Sequence, residues 1–434
     1  MNIDKKQNKQ FRIFFSIIFV MLKKIFIFIF IFYLALLLSN YLMPKVLSRI
    51  SSKGVAKYQN QNYYTHEKPP INVVEAYSSQ EADFYKNGNR NNIQIKLDPV
   101  SNYPYNLDLI KDLDFYPLSG LSKTKVSGCN ELGYWPVIST DKFGNNNKVE
   151  LEDAKVIIFG DSFGEAACVD QDKSIQSVIS DLGLSTYSFS TGGASLLYAT
   201  ASFIEHINLA KNANKIVYLY YINDTGYPGG LLSEIKNPYL APYLKKGYRQ
   251  PNYIDKYLSK NTQKKLRDFS EEKIANTSGL YWYTRTSNPL TLKYKLLNIL
   301  KLNWYKSLLH QAGIITNSKL EKEIIINLLS RMKNISKLHD KEFMITSIPV
   351  CKDEFNNLPV LEGKSKEGVM QGLDKNIKKI AAKLDIKVLD ATTAFLDCDQ
   401  YAKRRPNIMN SPSGIHFDEE GYNLIAEKLH QLLQ

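Results

Sequence analysis

The stretch Val156–Val169 reads VIIFGDSFGEAACV. Its first four residues are apolar, and the chain then passes through Gly160 and Asp161 to Ser162. A short continuous apolar run that ends in glycine is typical of a strand buried on both faces of a parallel sheet. Taken alone, Ser162 fits an ordinary strand-to-helix turn as well as a nucleophile presented at the end of a strand.

Apolar runs of the same kind recur along the chain and alternate with helical patterns. The runs are KVIIFG, STYSFS, KIVYLYYIND, FMITSIPV and IKVLDAT, and helices are predicted at about 175–182, 375–384 and 419–433. Alternating strands and helices predict a parallel sheet with helices on both faces, a three-layer α/β/α domain. Ligands bind at the carboxyl ends of the strands in such sheets, where Ser162 is predicted to lie.

Changes in composition divide the chain into four predicted parts. Residues 1–24 form a basic tail with an interfacial segment, 25–43 a transmembrane helix, 44–150 a polar tether and lead-in, and 151–434 the α/β domain. Within the last part, a stretch rich in Lys, Leu, Tyr and Asn at about 225–341 interrupts the alternation. We interpret this stretch as a helical insertion.

The positive charge lies mainly at the N-terminus. The net charge is +13, and residues 1–57 hold ten Lys/Arg and one acid, which supply +9 of it. This excess flanks the apolar run 25–43 and therefore indicates a membrane flank and not a nucleic-acid-binding face. Nineteen helical residues rise about 28 Å, close to the thickness of the hydrocarbon core.

The orientation of this segment follows from its flanks. Lys23 and Lys24 precede the run, and no small-residue cleavage site closes it. These features predict an uncleaved signal anchor with a cytoplasmic N-terminus and the remaining chain outside. A cleaved signal peptide and the reverse topology stay open, because basic residues also follow the run.

Four cysteines follow the predicted span: Cys129, Cys168, Cys351 and Cys398. An even number in an oxidising compartment favours structural disulfides, and three pairings are open. The sequence has no CxxC or Cys/His spacing typical of a zinc site. The cysteines therefore indicate no zinc site. Neither a metal nor an organic cofactor is expected for the serine chemistry described below.

Three further groups of small or polar residues fall at predicted strand ends or helix starts. SFSTGGAS (188–195) has small side chains that let backbone N–H groups approach a substrate. LYYIND (219–224) contains Asn223, whose side-chain amide is a ready oxyanion donor, and SPSGIHFDEEGY (411–422) places His416 before the last helix. Together with the serine of the first strand end, these groups supply a nucleophile, oxyanion donors and a base for acyl transfer.

On these motifs the chain resembles the SGNH (GDSL-type) hydrolase superfamily over roughly residues 150–434, without the insertion. The matching blocks are GDSF (160–163), SFSTGG (188–193), YIND (221–224) and SGIH (413–416). The lead-in motifs FYPLSGLS and GCNELGYW are similar to those of a bacterial membrane-anchored branch. The resemblance implies a flavodoxin-like α/β/α fold and an extracytoplasmic domain held at the bacterial inner (cytoplasmic) membrane by a single helix.

The resemblance also implies a role for each matching residue. Ser162 would be the nucleophile, with its own N–H in the oxyanion hole, and Asn223 would donate through its side-chain amide. His416 would be the general base and then the acid for the leaving group. Ser190 stands where the family has a glycine whose N–H is the second oxyanion donor. Gly193 matches the second glycine of that block, for which a structural role is expected.

The largest departure from the family pattern is Ser413, where the family places an aspartate that orients the histidine. A missing orienting carboxylate can cost about 10⁴ in rate in a serine triad. A backbone carbonyl could orient the ring in a Ser–His dyad, or one of four acids nearby in sequence could substitute: Asp390, Asp397, Asp399 or Asp418. Asp161 and Asp224 are expected to brace the turn and the loop that contain them.

The sequence therefore favours a membrane-anchored serine esterase or deacetylase that acts on an ester of a cell-envelope glycan through an acyl-Ser162 intermediate. Two alternatives stay open, an O-acyltransferase with the same residues and a non-catalytic glycan-binding or assembly protein on a degraded scaffold. The expected partners are the lipid bilayer and a glycan or acyl-ester substrate. No nucleic acid is expected, and the sequence indicates no particular protein partner.

Overall fold

The computed structural model describes residues 23–24, 27–28, 30–36, 38, 93–95, 112–127, 136–166, 168–221, 224, 230–276, 318–353, 368–404 and 416–434. The chain divides into two compact units, Met1–Pro70 with Tyr283–Thr316 and Ile71–Trp282 with Asn317–Gln434. The strands and helices named below all lie in the second unit.

The described residues form ten strands: β1 Ile93–Ile95, β2 Lys125–Ser127, β3 Ile138–Ser139, β4 Val156–Gly160, β5 Thr186–Ser188, β6 Lys215–Tyr220, β7 Glu342–Ser347, β8 Val350–Asp353, β9 Gly368–Gln371 and β10 Lys387–Leu389. Five of them form a parallel sheet in the order β10-β7-β6-β4-β5. β4 lies between β5 and β6 and is buried along its whole length, as its apolar sequence predicts. The carboxyl ends of β4, β5 and β6 therefore meet at one edge.

The described part of the second unit contains ten α-helices: α1 Ser162–Glu165, α2 Ile175–Asp181, α3 Leu196–His206, α4 Leu231–Ile235, α5 Tyr253–Leu258, α6 Lys260–Asn276, α7 Ser318–Leu338, α8 Lys375–Lys383, α9 Cys398–Lys403 and α10 Glu419–Leu433. Alternate residues of β4 face opposite sides of the sheet. Ile157 and Phe159 pack in a core with α3, α7 and α8, whereas Val156 and Ile158 pack in a second core with α2 and α10. These layers confirm the predicted three-layer α/β/α fold.

The lead-in is part of the packed domain. Leu113, Tyr116, Leu118 and Phe143 are buried in the same core as β4. The Leu118 N–H also donates to the Tyr253 hydroxyl at 2.9 Å. The α/β unit thus starts earlier than the predicted boundary at residue 151. The sequence did not indicate this, because the aromatic side chains that reach the core here stand between turn residues and follow no periodic pattern.

The predicted insertion at about 225–341 is too long. α7 buries Leu328, Leu329 and Met332 against the sheet and is the crossover helix between β6 and β7. An amphipathic helix has the same sequence pattern whether it covers a sheet or an added element, which explains the error. The inserted helices that the structure describes are α4, α5 and α6.

The predicted membrane span falls largely outside the described residues. Within 25–43 the structure describes residues 27–28, 30–36 and 38, all of them helical. Among the residues described, no helix is both long and apolar enough to cross a membrane.

The structure selects one pairing among the cysteines. Cys351 in β8 and Cys398 at the start of α9 form a disulfide with a Cα–Cα distance of 5.5 Å. Cys168 is also disulfide-bonded. Cys129 lies outside the described residues.

Candidate active site

The turn after β4 holds Ser162 at the carboxyl edge of the sheet. Only Asp161 separates Gly160, the last residue of β4, from α1. Asp161 Oδ1 accepts a hydrogen bond from the Phe163 N–H at 3.0 Å and so caps α1. Ala166 adopts a left-handed conformation with φ 53° and ends the helix after a single turn. The serine is therefore fixed as the first residue of a short helix, with 9% of its surface exposed.

His416 lies directly against this serine. Its Nε2 atom is 2.7 Å from Ser162 Oγ, although the two residues are 254 positions apart. The ring of Phe163 packs against the imidazole with a centroid distance of 5.1 Å, and the neighbouring Phe417 is buried. When the serine hydroxyl donates to Nε2, the pair has the geometry of a nucleophile and its general base.

The other ring nitrogen of His416 faces sulfur. Nδ1 is 3.3 Å from Cys168 Sγ, and Cys168 is buried. Ser413, which stands at the family's position for the orienting acid, lies outside the described residues. The sequence did not indicate Cys168 as a site residue, because its contact with His416 joins two segments 248 positions apart.

The four acids considered as substitutes for the triad aspartate make other local interactions or lie in other elements. Asp390 accepts from the Thr392 N–H at 3.0 Å, and Asp397 accepts from the Gln400 N–H at 2.8 Å. Asp418 caps α10 through the Gly421 N–H at 2.8 Å, and Asp399 lies in the first turn of α9. The capping role of Asp418 explains why an acid stands two residues after His416.

Ser190 lies behind the nucleophile turn. Its N–H donates to Ser188 Oγ at 3.2 Å, and its own Oγ is 2.9 Å from the same atom. A Cβ atom added at Gly164 would lie 2.8 Å from Ser190 Cβ, so this side chain occupies the space beside Gly164. These contacts do not support the expected role of Ser190 as an oxyanion donor, because its N–H and its hydroxyl both face Ser188.

Asn223, the expected side-chain oxyanion donor, and Gly193, for which a structural role is expected, complete the residues predicted from the sequence. Asn223 lies outside the described residues. Gly193 is exposed in the loop after β5 with φ +73°, a conformation that favours glycine. Its neighbour Gly192 donates its N–H to Glu165 Oε2 at 2.8 Å, which ties the loop to α1.

Asp224 is buried close to the end of β6. One of its oxygens accepts from the Tyr221 N–H at 2.9 Å and from the Tyr218 hydroxyl at 2.8 Å. Burial raises the pKa of this carboxyl well above its usual range, and the nearby Asp161 charge raises it further. Asp224 therefore braces the end of β6.

Glu234 in α4 is a second buried acid that sequence reasoning did not single out. It accepts from the Ser195 N–H at 2.6 Å and the Tyr198 N–H at 3.0 Å, and so caps α3. Burial raises the pKa of Glu234 to about 7. No local pattern predicts this contact, because the cap comes from a different segment of the chain.

Within the described part of the chain, no group of three or more His, Cys, Asp or Glu side chains is arranged to hold a metal ion. Independently of this, Ser162 and His416 have the geometry of the nucleophile–base pair of covalent acyl transfer.

Comparison with known proteins gives only distant structural similarity. No family model matches the chain, and no curated protein matches it. A proposed acylhydrolase from Bacteroides fragilis has 11% identity and a TM-score of 0.28, and the match covers 66% of this chain and 88% of that one. A GDSL-like lipase from Bacteroides thetaiotaomicron has 10% identity and a TM-score of 0.29, with 66% and 90% covered. A proposed lipolytic protein of the G-D-S-L family from Desulfitobacterium hafniense has 12% identity and a TM-score of 0.30, with 64% and 99% covered. Similarity this low does not decide the activity of this chain.

Proposed function

We propose that the protein is a serine esterase of the SGNH type that acts on an ester of a cell-envelope glycan. The contact of 2.7 Å between His416 Nε2 and Ser162 Oγ is the observation that carries this proposal. The serine begins α1 at the carboxyl edge of a parallel sheet, where ligands of such folds bind. A degraded, non-catalytic scaffold has no need to keep a base in hydrogen-bond contact with this hydroxyl.

The reaction would proceed in two acyl-transfer steps. His416 takes the hydroxyl proton as Ser162 Oγ attacks the ester carbonyl, and the negative charge develops on the carbonyl oxygen. The Ser162 N–H and the side-chain amide of Asn223 are the proposed donors to this oxyanion. The intermediate collapses as His416 protonates the leaving alcohol, which leaves acyl-Ser162. Water, deprotonated by His416, then releases the acid and regenerates the serine.

The substrate class and the location rest on the N-terminal sequence. The uncharged apolar run at 25–43, flanked by basic residues, would hold the α/β domain outside the cytoplasmic membrane. An outward-facing anchored domain meets the polymers of the cell envelope, and esters on a glycan are accessible to it. We therefore propose an O-acylated glycan as the substrate and the membrane as the anchoring partner.

A fluorophosphonate probe tests the reaction, since it labels only an activated serine. Full-length protein in nonionic detergent at about pH 7.5 should be labelled, whereas Ser162→Ala and His416→Ala should lose the label. His430→Ala is the matched control, because this histidine lies near the far end of α10. Absence of labelling in folded wild-type protein would overturn the proposal and favour a glycan-binding role. If wild-type protein is labelled, release of free acid from an O-acetylated glycan would identify hydrolysis.

A further inference from the structure

The imidazole of His416 makes a polar contact through each of its two nitrogens. One nitrogen, Nε2, faces Ser162 Oγ at 2.7 Å, and the other, Nδ1, faces Cys168 Sγ at 3.3 Å. Cys168 is 1% exposed and disulfide-bonded. The sulfur therefore lies where it can accept from the ring nitrogen that does not serve as base.

The nucleophile and the sulfur belong to one short segment, residues 162–168, which consists of α1 and the residues that follow it. α1 ends at Ala166 with φ 53°, and the Val169 N–H donates to the Ala166 carbonyl at 3.4 Å. The chain is thereby turned so that Cys168 comes back beside the imidazole that Ser162 contacts. Two atoms of this segment, Ser162 Oγ and Cys168 Sγ, thus contact the two nitrogens of His416, and these contacts orient the ring.

The oxidation state of the Cys168 sulfur decides whether it can donate a hydrogen bond to His416 or can only accept one. A disulfide sulfur has no proton and can only accept a hydrogen bond, although a weak one. The contact is a hydrogen bond when Nδ1 carries the ring proton, and the lone pair of Nε2 is then left to accept from Ser162. A free thiol at the same place could instead donate to Nδ1, and the proton would then lie on Nε2, which could no longer act as a base.

We propose that the disulfide sulfur of Cys168 is a positioning group for His416, that it selects the reactive tautomer, and that opening this disulfide inactivates the site. The proposal rests on the esterase function proposed above. Reduction by a dithiol would break the S–S bond, supply two electrons and two protons, and leave two protein thiols and a cyclic disulfide of the reductant. Reoxidation would reverse the change.

The variant Cys351→Ser/Cys398→Ser isolates this disulfide, because it lacks the other described one. In this background, we expect reduction to slow fluorophosphonate labelling about 10- to 100-fold, the size of effect that misplacement of a catalytic group produces. Capping the thiols with methyl methanethiosulfonate converts Cys168 into a mixed disulfide, whose sulfur again can only accept. Capping should therefore restore most of the rate, whereas a role of the disulfide as a mere tether predicts no recovery.

A second measurement separates this inference from the proposed function. In protein with ¹⁵N-labelled histidine, assigned with His416→Gln, the oxidised form should show the proton on Nδ1, and the reduced form should show it on Nε2 or on both nitrogens. This readout needs no activity, so it decides the inference even when wild-type protein is not labelled by the probe.

Cys168→Ala provides the same test where the buried disulfide resists reduction. It should lower the labelling rate about 10-fold or more, whereas the Cys351→Ser/Cys398→Ser control should stay within about threefold of wild type, with the folding of both variants checked by circular dichroism. Equal labelling rates in the oxidised form, in the form with both thiols titrated and in Cys168→Ala would overturn the inference. An unchanged tautomer after reduction would overturn it as well.

Discussion

Replacing His206 with phenylalanine should remove an acid-sensitive group from the core and keep an aromatic ring in its place. His206 is 1% exposed, and its ring stacks on Phe189 with a centroid distance of 4.3 Å. Nδ1 lies 2.8 Å from the Ser202 carbonyl, so this nitrogen carries the proton and donates. Burial lowers the pKa of His206 from 6.5 to about 4, and the hydrogen bond to Ser202 opposes this only in part.

The lowered pKa sets the direction and size of the effect. Between pH 6.5 and pH 4 the unfolded chain binds a proton that the folded chain does not, so this group makes the protein less stable as the pH falls. At about 1.4 kcal/mol per pKa unit, the full loss is about 3 kcal/mol, of which about 2 kcal/mol develops between pH 7 and pH 5. The variant should therefore lose about 2 kcal/mol less than wild type over this interval.

Urea unfolding of the full chain in detergent, followed by circular dichroism at pH 7 and pH 5, measures this difference. The comparison uses the change between the two pH values, so that a constant cost of the substitution cancels. His430→Phe serves as the control for the substitution itself, because it makes the same histidine-to-phenylalanine change at a partly buried position on α10. If His206→Phe shows the same loss of stability as wild type, His206 is not held neutral by burial and the reasoning fails.

Three further predictions concern stability. As the pH rises from 5 to 7.5, the Glu234→Gln variant should lose about 2 kcal/mol less of its free energy of unfolding than wild type. The reason is that burial raises the pKa of Glu234 to about 7, so the folded chain keeps a proton that the unfolded chain releases. The same urea series checks this, and an unaltered pH dependence would contradict it. Removing the Cys351–Cys398 disulfide with two serines should lower the free energy of unfolding by about 4 kcal/mol, the chain-entropy value for a sequence separation of 47. A loss under about 1 kcal/mol would show that the unfolded chain is not constrained in this way. Gly164→Ala should cost about 1–3 kcal/mol, because its Cβ would lie 2.8 Å from Ser190 Cβ. Ser190→Gly in the same chain should recover most of this loss, and simple additivity of the two changes would exclude the proposed clash.

The inner strands of the sheet could be predicted because they are buried on both faces. β4 and β6 are continuous apolar runs, and their observed bounds lie within a few residues of the runs seen in the sequence. The antiparallel pair of β8 and β9 was not predicted, because Val350, the first residue of β8, is also the last residue of the apolar run FMITSIPV, and no change in pattern marks a new strand. Pairing of β8 depends on a partner strand that is not adjacent in sequence, and this information is absent from a local run.

The candidate site could be predicted where it depends on strand ends. Ser162 follows β4 and His416 precedes α10, and a parallel sheet brings such positions to one edge. The environment of His416 Nδ1 could not be predicted in this way. It depends on a left-handed residue, Ala166, that turns the chain after α1, and alanine gives no sequence signal for this conformation.

The capping contact of Glu234 links the inserted helices to the candidate site. Glu234 holds the Ser195 and Tyr198 N–H groups at the point where the loop after β5 enters α3. From the other side, Glu165 holds the Gly192 N–H of the same loop. The position of this loop therefore depends both on α1 and on the insertion. Because buried N–H groups without a partner are costly, a chain shortened to the bare sheet and its crossover helices would leave the Ser195 and Tyr198 N–H groups unsatisfied at the border of the site. Through Glu234, the α4 part of the insertion thus stabilises the loop next to the nucleophile.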